Sequence, residues 1–335
     1  MNARAIRLTA AMVCAHALLW PTIGLADRPA PSTRAESAPA LRADAPASEK
    51  SVVARASARL PAHAQRIVSL DDLSTELLVS LGIAPVAVAN LGSYRKYVGI
   101  GAAELESSLA LGSPQQPDLE GILRAQPDLV VGVSYLHLSL FSRLDAMAPT
   151  VLFDVSLASG ARDGVALGED MLLQLGALTG RQAQARQVVD AARAKLAHAR
   201  QSLLEAGMAG RPMVALYPMS REGAFIVSNQ RTLIASLLTR LGVSAPWTLD
   251  SSYSLHRRIG IEALAAQPGL TALFIGGQQQ APLFASPMWQ ALPIAQAGRY
   301  AFLPTPYWTF GGPVSAGRLA DQIVAAVQSL PPVPK

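Results

Sequence analysis

One cysteine occurs in the 335 residues, Cys14, and it lies inside an apolar run close to the N-terminus. Once such a leader is removed no thiol remains, so disulfides and thiolate metal sites are excluded and stability must come from packing. Charge is sparse as well: 15% of residues are Asp, Glu, Lys or Arg, with a formal net charge of +5. Arg4 and Arg7 fall in the leader, leaving about +3, and no Lys/Arg-rich run is present, so nucleic acid is not indicated as a partner. His63, His137, His198 and His256 are scattered without ligand spacing, which argues against a protein-held metal. The familiar catalytic signatures are missing. There is no Gly-x-Ser-x-Gly elbow, for the nearest stretch, Gly312–Gly317, has the wrong spacing and opens a helix. Nor is there a Gly-x-Gly-x-x-Gly after a strand, a phosphate loop or a His-Glu-x-x-His. No enzyme is expected, and no intrinsic cofactor.

What is present begins with a localisation signal. Met1–Arg7 carries two arginines and no acid, and Leu8–Trp20 is apolar but, at 13 residues, too short to span a bilayer. Gly24-Leu25-Ala26 supplies small residues at −3 and −1 before Asp27. Residues 1–26 thus read as a secretory signal peptide cleaved near Ala26. Ala11-Met12-Val13 before Cys14 is a poor lipoprotein signal, so an unanchored exported protein is expected. Residues 27–64, rich in Ala, Pro and Ser and without a sustained period, read as a disordered tether.

From there strands and helices alternate. Arg66–Leu70, Val86–Ala89, Leu129–Val133 and Thr150–Phe153 read as strands, with helices at Leu73–Leu81, Asp118–Ala125, Leu138–Met147 and Asp163–Leu178, and a loop at Asn90–Gly99. Arg181–Ala206 has no Gly or Pro, and Val188, Val189, Ala192, Leu196, Ala199 and Leu203 recur at helical spacing. Such a helix spans roughly 39 Å, about the width of a domain. The pattern then restarts, with strands at Met213–Tyr217, Thr271–Ile275 and Arg299–Leu303 and helices at Thr232–Leu241, Ile261–Ala266, Met288–Ala291 and Val314–Leu330. Glu120–Val130 and Glu262–Thr271 echo each other: a Glu-led helix, Gln-Pro, then a buried strand. The fold class predicted is α/β: an N-terminal lobe (65–178) and a C-terminal lobe (208–335), each around a mostly parallel sheet. A single long spanning helix (179–207) joins them, and a ligand cleft lies between.

The stretches RIVSLDDLSTELLVSLGIAPVAVA, DLEGILRAQPDLVV, LGALTGRQAQAR, FASPMWQALPIAQAGRYAFLP and YWTFGGPVSAGRLADQI, in this order, resemble the periplasmic substrate-binding proteins of ABC importers. The branch resembled takes up iron–siderophore chelates and cobalamin, and the last two stretches look most like its ferric hydroxamate (ferrichrome-type) binders. The resemblance implies a monomer that carries a ferric siderophore to a membrane permease, with the iron held by the chelator alone. Haem or cobalamin is the alternative ligand, for which Tyr94, Tyr135, Tyr253, His137 or His256 would be the axial candidates for haem iron. A ligand sensor using the same cleft is a further alternative.

The resemblance places Trp308 and Phe310, in the loop after Arg299–Leu303, on the cleft wall; otherwise they cap the second core. Tyr97, with Tyr94 and Arg95 beside it, falls where the family has a cleft aromatic. Tyr135 falls where a tyrosine reaches the chelate oxygens, and Tyr253 and Ser254 lie in a loop that either lines the cleft or turns at the surface. Pro114 stands where a chelate-contacting arginine is expected, and Asp72 where an aromatic is. Arg95, Lys96, Arg257 or Arg258 would have to supply the missing donor, or the chelate differs. Glu120 and Glu262, one per lobe, match glutamates that dock on the permease; their plain reading is helix first-turn acids favoured by the macrodipole.

Overall fold

The computed structural model describes residues 51–155, 163–219, 223–247, 255–267, 269–277, 279–304 and 309–332. All belong to one unit, Lys50–Lys335. The first half contributes strands β1 (Val53–Ala56), β2 (Ile67–Ser69), β3 (Ala87–Val88), β4 (Leu109–Ala110), β5 (Gly112–Ser113), β6 (Gln116–Pro117), β7 (Leu129–Val133) and β8 (Thr150–Phe153). Its helices are α1 (Asp72–Ser80), α2 (Leu91–Tyr97), α3 (Leu119–Ala125), α4 (Ser134–His137) and α5 (Phe141–Asp145). Six strands form one sheet in the order β1-β8-β7-β2-β3-β4, parallel but for edge strand β1, while β5 and β6 pair as a small hairpin. β7, Leu-Val-Val-Gly-Val, is buried at every position, as a strand covered by helices on both faces must be.

Helices α6 (Gly164–Leu178) and α7 (Gln182–Glu205) lead to the second half. There β9 (Met213–Pro218), β10 (Ala224–Ser228), β11 (His256–Gly260), β12 (Thr271–Ile275) and β13 (Tyr300–Leu303) form a sheet in the order β11-β10-β9-β12-β13. Its helices are α8 (Leu233–Arg240), α9 (Ile261–Ala265), α10 (Pro287–Gln290), α11 (Pro293–Gln296) and α12 (Pro313–Gln328). β9, β12 and β13 are parallel; β10 and β11 are antiparallel additions. The architecture is thus two α/β lobes with parallel-rich sheets and a long helix between them. Among the described residues no helix is long and apolar enough to cross a membrane.

The long helix joins the lobes by dividing its apolar stripe. Ala185 and Val189 are buried in the first core, and Leu196, Ala199 and Leu203 in the second. α6 does the same with the opposite weighting: Val165 enters the second core, and Met171, Leu172 and Leu175 the first. Two glycines on one face of α6 let it approach the second lobe's backbone. A Cβ on Gly164 would lie 2.4 Å from the Thr232 carbonyl carbon, and one on Gly168 would lie 2.4 Å from the Gly311 oxygen.

The lobes are also tied by polar contacts. Glu76, fully inside, accepts from Gly312 N (3.0 Å), Ser315 N (2.9 Å) and Ser315 Oγ (2.7 Å), so an acid of the first lobe caps the N-terminus of α12 in the second. Asp163, the N-cap of α6, receives Arg240 of α8 at 2.8 Å. Arg318 of α12 donates to the Val98 carbonyl at 2.8 Å.

Four details differ from expectation. The ordered chain starts earlier than Gln65: β1 pairs antiparallel with β8, and Val52 and Ala64 join the first core, so residues 52–64 are not part of a tether. β1 escapes sequence reading because three of its four residues are exposed and its pairing shifts register between Val53 and Arg55. Asn90–Gly99 is mostly helix α2 rather than loop, its buried residues Leu91 and Tyr94 one turn apart. Leu138–Met147 breaks into a 3₁₀ turn at Leu138–Leu140 and the short α5. β10 and β11 are further strands: β11 (His-Arg-Arg-Ile-Gly) offers a single buried apolar residue and so no strand signal, whereas β10 (Ala-Phe-Ile-Val-Ser) is a short, mostly buried apolar run.

Candidate functional site

A cavity of about 200 Å³ opens where the first sheet's strand ends meet the segment before α12. From the first lobe it is lined by Asp71, Asp72, Leu73, Asn90, Pro114, Gln115, Val133, Tyr135 and Leu136, and from the other side by Thr309 and Phe310. Most of these follow the C-terminal ends of the parallel strands β2, β3 and β7, where open α/β sheets place their ligands.

Local structure fixes each wall. Asp71 ends the β2 connection and caps α1, accepting from Ser74 N at 2.9 Å and Ser74 Oγ at 2.8 Å. Asp72 begins the helix. Asn90 follows β3 in the left-handed conformation (φ 62°), which Asn tolerates better than most residues, and its Nδ2 donates to both Asp72 oxygens at 3.0 and 3.1 Å. Pro114 turns the β5–β6 hairpin, and its carbonyl lies 2.9 Å from His137 Nε2. His137 Nδ1 accepts from Val133 N at 3.1 Å, so the ring hydrogen sits on Nε2 and points at Pro114. That buried ring ties the end of β7 to the hairpin, and Gly132 leaves it room, since a Cβ there would fall 2.6 Å from Nδ1. Tyr135 follows at once, its ring centre 5.9 Å from that of Phe310 and tilted by 51°.

The electrostatics are acidic. Burial pushes the Asp72 carboxyl up to about 7, with neighbouring Asp71 adding to the rise and the Asn90 donor opposing it. Burial likewise raises Asp71, against the electrostatic effect of His137 and its donors from α1. Desolvation, then the carboxylates of Asp71 and Asp72, push the Tyr135 hydroxyl well above its ordinary value. None of the described lining residues is a Lys, Arg or His.

Of the residues singled out from sequence, the structure brings Tyr135 and Phe310 together here. Tyr94 is a correction: it is fully buried among Val79, Val88, Leu91, Val98 and Leu105, and its hydroxyl donates to the Ile100 carbonyl at 2.6 Å. It falls on the inner face of α2, and so is a core residue unable to reach a ligand. Tyr97 lies on the exposed face of the same helix, outside the cavity lining, with Lys96 Nζ 4.9 Å from its ring centre. Arg95 is exposed and donates to the Leu105 carbonyl at 2.7 Å. Arg257 and Arg258 are exposed on β11. None of these four cations lines the cavity, so the arginine missing at Pro114 has no described replacement there. His137 has both ring nitrogens engaged, and His256 Nδ1 lies 3.1 Å from Ser228 Oγ. Trp308, Tyr253 and Ser254 lie outside the described residues. Glu120 stands in the first turn of α3 with its side chain 89% exposed, and Glu262 is exposed in the first turn of α9. Among the described residues no cluster of three or more His, Cys, Asp or Glu is placed to hold a metal.

Sequence reading missed Asn90, Gln115, Leu136 and Thr309 as lining residues, did not place Asp71 at the cavity, and singled out Asp72 only as standing where an aromatic is expected. The Asp-Asp pair straight after a short apolar strand was the available signal, because that is where a strand's C-terminal end meets the cleft.

Comparisons with known proteins agree with this architecture. A family model described as periplasmic binding protein matches residues 67–307. The iron(3+)-hydroxamate-binding protein FhuD of Escherichia coli is 25% identical over 254 residues, covering 75% of this chain and 83% of that protein. The Fe(3+) dicitrate-binding periplasmic protein FecB of the same organism is 24% identical over 267 residues, 78% and 84% of the two chains. The crystal structure of the siderophore-binding protein FhuD from Vibrio cholerae, bound to Fe3+–Desferal, superposes with a TM-score of 0.71 at 23% identity, over 80% of this chain and 99% of that one.

Proposed function

The chain belongs to the periplasmic binding protein family, and from that premise we propose that it captures a ferric siderophore of the hydroxamate type and delivers it to an ABC importer permease. The observation that carries the reading is the cavity at the strand ends, with the rings of Tyr135 and Phe310 on its wall. A preformed chelate needs flat apolar walls and a few polar groups, and no protein ligand to the metal. The cavity offers those walls. Trp308 stays a candidate on its nearness in sequence to Phe310 alone. Tyr97 and Arg95 stand outside the cavity lining, Tyr253 and Ser254 stay candidates from sequence alone, and Tyr94 is withdrawn from the site. The protein is exported with its leader cleaved near Ala26, works as a monomer and turns nothing over.

Glu120 and Glu262 are the docking residues in this reading. Their support is exposure, and the matched Glu-led helices in the two lobes, which present like charges to a two-fold symmetric partner.

The test is a tryptophan-fluorescence titration with ferric hydroxamates, ferric catecholates, haem and cobalamin. Saturable quenching by the hydroxamates at about micromolar concentration, roughly −8 kcal/mol, is expected. Phe310→Ala should abolish it while the circular dichroism spectrum stays unchanged. Equal quenching in that variant would move the site elsewhere, and a Soret band on the purified protein would make the ligand haem.

A further inference from the structure

Relatives of this chain are named for ligands of different charge, a ferric hydroxamate for one and ferric dicitrate for another. Family membership therefore leaves the charge of the chelate open, and the wall of the cavity decides it. Resting on the reading above, we propose that this cleft selects a cationic ferric chelate, a trihydroxamate bearing a free ammonium group, with Asp72 as the counter-charge.

The argument starts from what lines the cavity. Two carboxylates do, and no Lys, Arg or His is among the described lining residues; His137, outside that lining, offsets the rise of Asp71 electrostatically, whereas no cation acts so on Asp72. Their roles differ. Asp71 has its oxygens committed to Ser74 N and Oγ at the start of α1, which makes it a structural cap. Asp72 has one side-chain partner, the Asn90 amide, whose single nitrogen spans both oxygens at 3.0 and 3.1 Å. A carboxylate offers about four acceptor sites, so Asp72 keeps accepting capacity at the cavity wall. Burial, with Asp71 beside it, raises its ionisation to about 7, and the Asn90 amide is what opposes the rise.

Chelate chemistry then separates the candidates. Three hydroxamates cancel the charge of Fe³⁺ and leave a neutral core, so one pendant ammonium gives +1. Three catecholates leave −3, and citrate complexes are anionic too. Beside an uncompensated acid in a partly desolvated wall the anionic chelates are repelled, and an ammonium supplies the missing partner.

The experiment compares three probes on the purified protein at pH 8, by intrinsic fluorescence and calorimetry. They are the ferric complex of a linear trihydroxamate ending in a primary amine (desferrioxamine B), the same complex with the amine acetylated, and a ferric tricatecholate. The amine form should bind about tenfold more tightly than the acetylated form, and the catecholate more weakly than both. Asp72→Asn keeps an acceptor for Asn90. It should weaken the amine form about tenfold, leave the acetylated form unchanged and so erase the difference. Equal affinity for the first two in the native protein overturns this inference and leaves the siderophore-binding reading intact, as does tightest binding of the catecholate. Failure of every ferric chelate to bind overturns the underlying reading, and the inference with it.

Discussion

Asp72 links stability to pH in a direction that the raised carboxyl fixes. Unfolded, the group ionises near 3.8; folded, near 7. Between those values the folded chain holds a proton that the unfolded chain has lost, so this residue's contribution to stability falls as pH rises. Asp72→Asn does not titrate and still accepts from Asn90. The variant's stability relative to the native protein should therefore climb from pH 4 to about pH 7 and level off above it. Allowing for partial exposure, the gain should reach about 2 kcal/mol. Urea unfolding at pH 5 and pH 8 reads it directly, and a difference that shrinks with rising pH would refute the assignment. Burial raises Glu76 too, an effect common to both proteins that cancels, while Asp71, which repels the Asp72 charge, ionises more readily in the variant and adds to its gain at high pH. At this scale the sequence showed the chemistry of each residue and concealed its setting. Tyr94 and Tyr97 are three residues apart and looked equivalent, yet the first is inside the core and the second, at the very end of α2, is exposed.

Among the elements, α6 carries the clearest test, because propensity and packing disagree about it. Replacing Gly168 by Ala in the middle of a helix should stabilise by about 1 kcal/mol on intrinsic preference alone. The added Cβ, however, would lie 2.4 Å from the Gly311 carbonyl oxygen, a backbone atom that cannot swing away. Packing should win, and Gly168→Ala should lose about 1–3 kcal/mol in the urea midpoint. A stabilised variant would mean that α6 and the Gly311 segment do not meet this closely. Helices and strands with a strong period were legible: α7, β7, β8 and β12 fall within a residue of where the spacing puts them. β1, β10 and β11 were not. Edge strands with exposed residues, β1 and β11, derive their stability from a partner strand distant in sequence, as β1 does from β8, and a local window carries no trace of that partner; β10 is buried between β11 and β9, and this reason does not cover it.

At the scale of the whole molecule, the two lobes are fastened along more than the long helix. α6 reaches both cores, Glu76 caps α12 from the opposite lobe, and Arg240 and Arg318 add ties of 2.8 Å each. Rotating one lobe away would strip a buried carboxylate of its donors, a cost of several kcal/mol, so the fold favours a cleft that changes little on loading. Recognition by a permease must then read the surface of both lobes. Glu120→Ala with Glu262→Ala should abolish uptake in cells while ligand affinity stays within about twofold; lost binding in that double variant would end the docking role. The sequence by itself determined the α/β class, the two-lobed order of elements, the spanning helix and the family, because these follow from local periodicity and from motif order along the chain. Only the tertiary structure decided which of the described residues line the cavity. Asp72, Asn90, Pro114, Tyr135 and Phe310 are scattered across 239 positions and meet because parallel strands end side by side. Such an encounter is fixed by sheet order, which no single stretch of sequence contains.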